Sequence, residues 1–154
     1  MAGDPDLDAA LSALPHGPEF RFVDRLRALE PGSSGEGIYL VRGDEAFLAG
    51  HFPGRPMMPG VVLAEAVAQL AGVVAQTDPE VPALADLRLT ALKNVKILGA
   101  AVPGDELVIR ARVTGRMGNL ILAEGDVEVT GGAKLATAVI VLSGEPSPEL
   151  KTGQ

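Results

Sequence analysis

The sequence predicts an α+β fold in which a curved antiparallel sheet wraps one long, buried helix. Three observations carry that expectation. Residues 59–76 are apolar on every side apart from Glu65 and the amides of Gln69 and Gln76, the composition of a helix with no solvent face. Beyond Pro82 the chain reads as β-type segments separated by Gly-, Pro- and Asn-containing turns. At 154 residues, with no internal repeat and no linker, it makes one domain, 1–154, large enough for a real core. One helix among five or six strands leaves the sheet to curl around it.

Taken in order, residues 1–5 read as a loose end. Leu7, Ala10, Leu11 and Leu14 fall at helical spacing and predict a short amphipathic helix that Pro15 stops. Phe20 to Leu26 predicts the start of a strand ending by Pro31-Gly32, and Gly37 to Arg42 a second strand. Pro53, Gly54, Pro56, Pro59 and Gly60 keep the next stretch irregular. A helix follows from Pro59 to Gln76, with proline suited to a first helical position, and Thr77-Asp78-Pro79 ends it. At ~1.5 Å per residue it spans about 27 Å, the width of a small domain. Strands are expected at Leu84–Ile97, Glu106–Arg116, Leu120–Thr130 and Lys134–Leu142. Turns at Pro103-Gly104-Asp105, Met117-Gly118-Asn119 and Gly131-Gly132 join them, which predicts a meander. The polar tail, 145–154, reads as a second loose end.

Composition narrows the chemistry. The chain is 47% hydrophobic but only 3% aromatic, so its core is aliphatic. With no cysteine, disulfides, thiolate nucleophiles and Cys-based metal sites are excluded. Two histidines far apart leave no basis for a His-rich metal site, so no metal is expected. The first residues are acidic rather than basic-then-apolar, and the longest apolar stretch is too short to span a bilayer. The expectation is a cytoplasmic protein with no membrane partner. A net charge of -7 argues against a nucleic-acid partner. Basic residues nevertheless concentrate between Arg88 and Arg116, which reads for most of them as scattered solvated charge and otherwise as one basic face toward an acidic partner.

The most informative segment runs from Gly50 to Gln69, GHFPGRPMMPGVVLAEAVAQ. A rigid loop holds His51 and leads into the helix whose first acid is Glu65. A lone carboxylate on an apolar helix must be hydrogen-bonded, neutralised or functional, because an unpaired buried charge is very costly. Unpaired N–H groups at the helix start, Gly60 among them, favour a polarised carbonyl oxygen. A neutral imidazole nearby could take a proton from the adjacent carbon. Glu65, raised by burial, could supply a proton, and Gln69 lies at i+4 on its face. Base, oxyanion donor and acid together fit elimination of water beta to a carbonyl. A serine triad fits poorly, since no serine lies near either histidine. His16, before the first strand, reads as structural. Met57 and Met58 read either as lining for an acyl tunnel or as core.

These residues resemble the 3-hydroxyacyl-acyl carrier protein dehydratases of type II fatty acid synthesis, the FabZ-like family. Leu14-Pro15-His16 with Phe20 and Val23-Asp24-Arg25 is similar to the family's opening motif. Gly50–Pro56, Met58-Pro59-Gly60-Val61 and Glu65–Gln69 are similar to its catalytic block, and Lys93, Lys96 and Val102–Asp105 to the segment that follows. The resemblance implies a hot-dog fold and paired protomers, each site taking its histidine from one subunit and its glutamate from the other. In this family dimers commonly associate further into hexamers, trimers of dimers. It implies His51 as base, Glu65 of the partner chain acting at the beta hydroxyl, and the Gly60 N–H on the thioester carbonyl. The main-chain carbonyl near Met57 would hold the histidine and Gln69 would orient Glu65. The substrate would be acyl carrier protein, whose phosphopantetheine arm leaves no separate cofactor to bind. Arg55, Arg88, Lys93 and Lys96 are the candidate docking residues. The related dehydratase–isomerase branch carries Asp where Glu65 stands, which favours dehydration without isomerisation. Departures from the family pattern are Gly17-Pro18-Glu19, Arg21 and Leu89–Leu92, all outside the catalytic pair. A hot-dog thioesterase using Glu65 to activate water, and a non-catalytic acyl-binding subunit, are the alternatives.

Overall fold

The computed structural model describes residues 5–12, 14–49 and 54–146. Helix α1 (Pro5–Ser12) and a single 3-10 turn (Pro18–Phe20) precede strands β1 (Arg25–Glu30) and β2 (Ser34–Leu40). A one-turn helix, α2 (Ala46–Ala49), and the long helix α3 (Gly60–Gln76) come next. Strands β3 (Leu84–Ile97), β4 (Glu106–Met117), β5 (Leu120–Val129) and β6 (Lys134–Pro146) complete the chain. The strands form one antiparallel sheet in the order β1-β2-β4-β5-β6-β3, curled around α3 as in a hot-dog fold.

Beyond its first turn, where Val61 is exposed, helix α3 is largely buried, as its composition requires. Twelve of its 17 residues are buried, including Leu63, Val67, Leu70 and Val74. Most are Ala, Val or Gly, so the helix backbone approaches the sheet closely. The sheet reciprocates with glycine. A Cβ at Gly35 would stand 2.9 Å from Val74 Cγ2. At Gly125 it would stand 2.7 Å from Val67 Cγ1 and 2.1 Å from the carbonyl oxygen of Arg110 on the neighbouring strand.

The last carbonyls of a helix lack intrahelical partners and must find donors elsewhere. Here Thr77 donates from both its N–H (3.2 Å) and its hydroxyl (2.9 Å) to the Val73 carbonyl. Gly32 N–H reaches Val74 O at 2.8 Å, and Arg116 Nη2 reaches Ala75 O at 2.7 Å. The C-cap residue, the turn after β1 and an arginine from a distant strand thus close the helix end.

Several features differ from the sequence-based expectation, among them the second strand, which runs Ser34–Leu40 rather than Gly37 to Arg42. The first strand starts at Arg25 rather than Phe20, because the Phe22 N–H is taken by the side chain of Gln69 and not by a neighbouring strand. Pro59 is the N-cap, its carbonyl receiving the Val62 N–H at 2.9 Å, so α3 begins one residue later. Helix α2 is too short to leave a periodic signal. Finally, only β4, β5 and β6 form a meander. Strand β3 crosses to the far edge and pairs with β6. The Pro103-Gly104-Asp105 turn is not a hairpin, for it bonds to Val41 in both directions (Gly104 N–H to Val41 O, 2.7 Å; Val41 N–H to Asp105 O, 3.0 Å). Pairing with β3 also extends β6 through Glu145 and Pro146, two residues expected to be loose.

Replacing Gly125 by alanine should force β5 from β4 or α3 from the sheet. The expected loss is about 1–3 kcal/mol, the usual cost of overpacking. Urea denaturation of Gly125→Ala checks it, and an unchanged midpoint would refute the close-packing argument.

Candidate active site

Glu65 lies in the second turn of α3 and is half-buried. Among the described residues, two side chains stand beside its carboxyl. Gln69 Nε2 is 3.4 Å from Oε1, a long hydrogen bond. His16 Nε2 is 3.5 Å from the same oxygen. Burial holds the carboxyl above its ordinary pKa of 4.5, and the Gln69 bond and the His16 charge oppose that rise. The site therefore holds this proton more tightly than a free carboxyl would.

Gln69 is the one buried polar side chain among the described residues, only 2% exposed, and its amide is fully used. Oε1 accepts the Phe22 N–H at 2.8 Å and Nε2 donates to Phe20 O at 2.8 Å. This pair of bonds fastens the segment before β1 against the helix. Arg21 tightens it further, donating from Nη2 to the carbonyls of Leu14 (3.1 Å) and His16 (3.3 Å). His16 stacks on Phe20, ring centroids 5.9 Å apart.

Behind Glu65 and His16 lies a cavity of about 550 Å³. One face of α3 forms its floor: Glu65, Ala68, Gln69, Gly72, Val73 and Gln76, the i, i+3, i+4, i+7 spacing of a single helix side. Leu84, Leu87 and Leu89 of β3 form the opposite wall. An apolar chain fits such a space, with the carboxyl at one end.

The other residues singled out from the sequence fall as follows. Gly60 opens α3, and a Cβ there would stand 2.9 Å from Ile97 Cγ1, so β3 presses on the helix start. Met57 is half-buried beside Met58, which is buried and bonded to Ala101 (N–H to O, 2.8 Å). His51 lies outside the described residues. The stem before it is anchored by Glu45, which accepts Tyr39 Oη–H (2.7 Å) and the N–H groups of Arg42 (3.0 Å) and Gly43 (2.7 Å). Burial and the Glu45 carboxylate together raise the Tyr39 pKa and keep the phenol protonated.

Arg55, Arg88, Lys93 and Lys96 are all exposed. Lys93 and Lys96 sit opposite Val139 and Thr137 of β6, whereas Arg88 lines the cavity. The rest of the basic run is engaged. Arg110 pairs with Glu36 and Glu128, Arg112 with Glu124, and Arg116 with the end of α3. Sequence reasoning missed the proximity of His16 to Glu65. They are 49 residues apart, and nothing in local spacing joins them.

The raised pKa of Glu65 has a consequence for stability. The folded state holds this proton more tightly than the unfolded chain, so the contribution is intact below about pH 4.5 and declines as pH rises through the elevated value. Glu65→Gln, which mimics the protonated acid, should gain stability relative to wild type as pH rises across that window. Paired urea titrations from acid to neutral pH measure this, and a constant difference would contradict it.

Comparison with known proteins agrees with this architecture. A family model described as the FabA-like domain matches residues 14–138. A 3-hydroxyacyl-[acyl-carrier-protein] dehydratase FabZ from an Anaeromyxobacter species is 36% identical over 129 residues, covering 82% of each chain. A protein of the same name from Geotalea uraniireducens is 40% identical over 106 residues, 68% of this chain and 72% of that one. Among solved structures, the dehydratase heterocomplex ApeI:P from Xenorhabdus doucetiae superimposes with a TM-score of 0.71, covering 90% of this chain and 92% of that one at 19% identity. The structural likeness concerns the fold; the sequence relatives and the family match extend to the segment that carries Glu65 and Gln69, and by them the chain belongs to the FabA-like domain family.

Proposed function

We propose that this protein dehydrates (3R)-3-hydroxyacyl-acyl carrier protein to the trans-2-enoyl thioester in fatty acid or related acyl biosynthesis. The observation that carries the reading is Glu65, its pKa raised by burial, at the end of an apolar cavity of acyl dimensions. Two proton movements suffice. His51 takes the proton from the carbon beside the thioester carbonyl, and the electron pair moves toward the carbonyl oxygen, where the Gly60 N–H at the start of α3 receives it. The pair then forms the carbon–carbon double bond as the beta C–O bond breaks. The departing oxygen takes the Glu65 proton and leaves as water. Transfer of the His51 proton back to Glu65 resets the site. Met57 supplies the main-chain carbonyl that steadies the His51 ring, and Gln69 orients Glu65.

No metal or dissociable cofactor enters these steps, and the phosphopantetheine arm arrives with the carrier protein. Arg55, Arg88, Lys93 and Lys96 are the surface on which an acidic carrier would dock. Among the described residues no helix is long and apolar enough to cross a membrane, and the carrier-bound substrate is the reason to place the reaction in the cytoplasm.

The site is shared in a homodimer, with His51 and Glu65 contributed by different protomers, and dimers can assemble further into a hexamer. Support comes from β3, a 14-residue edge strand with exposed Leu92 and Ile97. An unpaired edge of this length is a template for another strand, and a second copy of β3 would extend the sheet while covering the cavity side of the molecule.

Mass spectrometry of 3-hydroxyacyl-carrier protein across several chain lengths tests the activity. Wild type should remove one water, and His51→Ala or Glu65→Gln should lower the rate by at least ~10²-fold. Release of free carrier thiol would instead indicate a thioesterase, and binding without turnover a non-catalytic subunit.

Shared sites predict complementation. Co-expressed His51→Ala and Glu65→Gln chains, each inactive alone, form mixed dimers in which one site is intact. Activity should recover to about a quarter of wild type for random pairing in a two-fold dimer. No recovery would mean that both groups come from one chain.

A further inference from the structure

Glu65 has an imidazole beside it that the proposed reaction does not use. His16 belongs to the same chain as this Glu65, and its Nε2 stands 3.5 Å from the carboxyl oxygen. Its position is fixed from several directions. Phe20 stacks against the ring, Arg21 holds the His16 carbonyl, and both ends of the Gln69 amide bind the backbone of Phe20 and Phe22. Gln69 is one helical turn from Glu65, so the helix that presents the acid also fastens the segment that presents the histidine.

The other ring nitrogen is unusual. His16 Nδ1 is buried without a hydrogen-bond partner among the described residues. Buried polar atoms of this kind are rare, and each calls for an explanation. A ring retained only for structure would be expected to spend its nitrogens on the fold. Here neither nitrogen bonds the backbone, and the one with a neighbour faces the carboxyl.

We propose that His16 is a positioning residue for dehydration, holding the Glu65 carboxyl toward the cavity and stabilising the carboxylate left when its proton departs with the hydroxyl. The inference rests on Glu65 being the acid. Once that proton has gone, a half-buried charge remains with a neutral amide on one side and an imidazole on the other. The imidazole, 3.5 Å from the carboxyl oxygen, is the neighbour able to pair with that charge. Among the described residues, the remaining charged groups around the cavity are Asp86 and Arg88 of β3, while Arg21 donates to carbonyls. Helix α1 contributes only Ala10. Substrate would therefore meet a glutamic acid braced from behind by its own subunit and a base arriving from the other.

Two measurements test this, one without turnover. The chain has two histidines, so its imidazole NMR spectrum has two ring systems, assigned with His16→Gln and His51→Ala. Glu65→Gln should shift the His16 signals. If they stay in place, or if only the His51 signals move, the proposal is overturned.

The second measurement is the pH profile of kcat for His16→Gln, with His16→Asn as a shorter replacement should the first fold poorly. The kcat should fall about 10-fold, part of the roughly 10²-fold that a misplaced reacting group costs, with KM nearly unchanged. His16 lowers the pKa of Glu65, so without it Glu65 should hold its proton more tightly and the alkaline limb should move to higher pH. A wild-type profile, or a change confined to KM, would overturn the role. If wild type removes no water from any substrate while the NMR coupling is present, the dehydratase reading fails and the His16–Glu65 pairing stands.

Discussion

The apolar character of α3 on all sides is the constraint from which the rest of the structure follows. A helix with one greasy stripe could lie on a sheet and leave its back to water. One with none to spare must be enclosed, and here six strands curl around it while the opening segment covers the remaining flank. Enclosure in turn makes every polar atom on the helix consequential. Its terminal carbonyls draw in Gly32, Thr77 and Arg116, and its single carboxyl is pushed toward the protonated form. The chemistry of Glu65 is thus a by-product of the packing problem that shapes the domain.

Gln69 links that packing to the site. Its amide substitutes for a strand partner at Phe20 and Phe22, which explains why β1 starts late and why residues 14–22 lie along the helix. Without that tether His16 would have no fixed place, and the cavity would lose a wall formed by Leu14, Pro15 and His16. The outer face of the sheet contributes differently. Its ion pairs, such as those of Arg110 with Glu36 and Glu128, are partly exposed and worth little individually. They do, however, neutralise much of the basic run, leaving Arg88, Lys93 and Lys96 as its exposed remainder; Arg55, outside the run, is exposed as well.

Much of this was legible before folding because it is encoded locally. Strand β3 matches its expected bounds, α3 and β4 to β5 differ by a residue or so, and the hairpins sit at their expected turns. Periodicity, proline and glycine act over a few residues, so a linear reading captures them. The misreadings share a cause. A strand at Phe20, a β3–β4 hairpin and a loose Glu145 were each overruled by a partner far away in sequence: Gln69, Val41 and Ala85 respectively. The acid of the candidate site was visible as a lone charge in an apolar helix. The histidine next to it was not, since 49 residues separate the two.

The sequence by itself determined that a long apolar helix would be buried in an antiparallel sheet, and that Glu65 would be its exceptional residue, because hydrophobic periodicity and the cost of burying charge are properties of a segment. Only the tertiary structure decided that β3 forms the sheet edge and that Gln69 binds backbone. The same holds for His16, which comes to lie against Glu65. Those outcomes depend on which distant groups satisfy each other's hydrogen bonds, and that matching exists only once the chain has closed around α3.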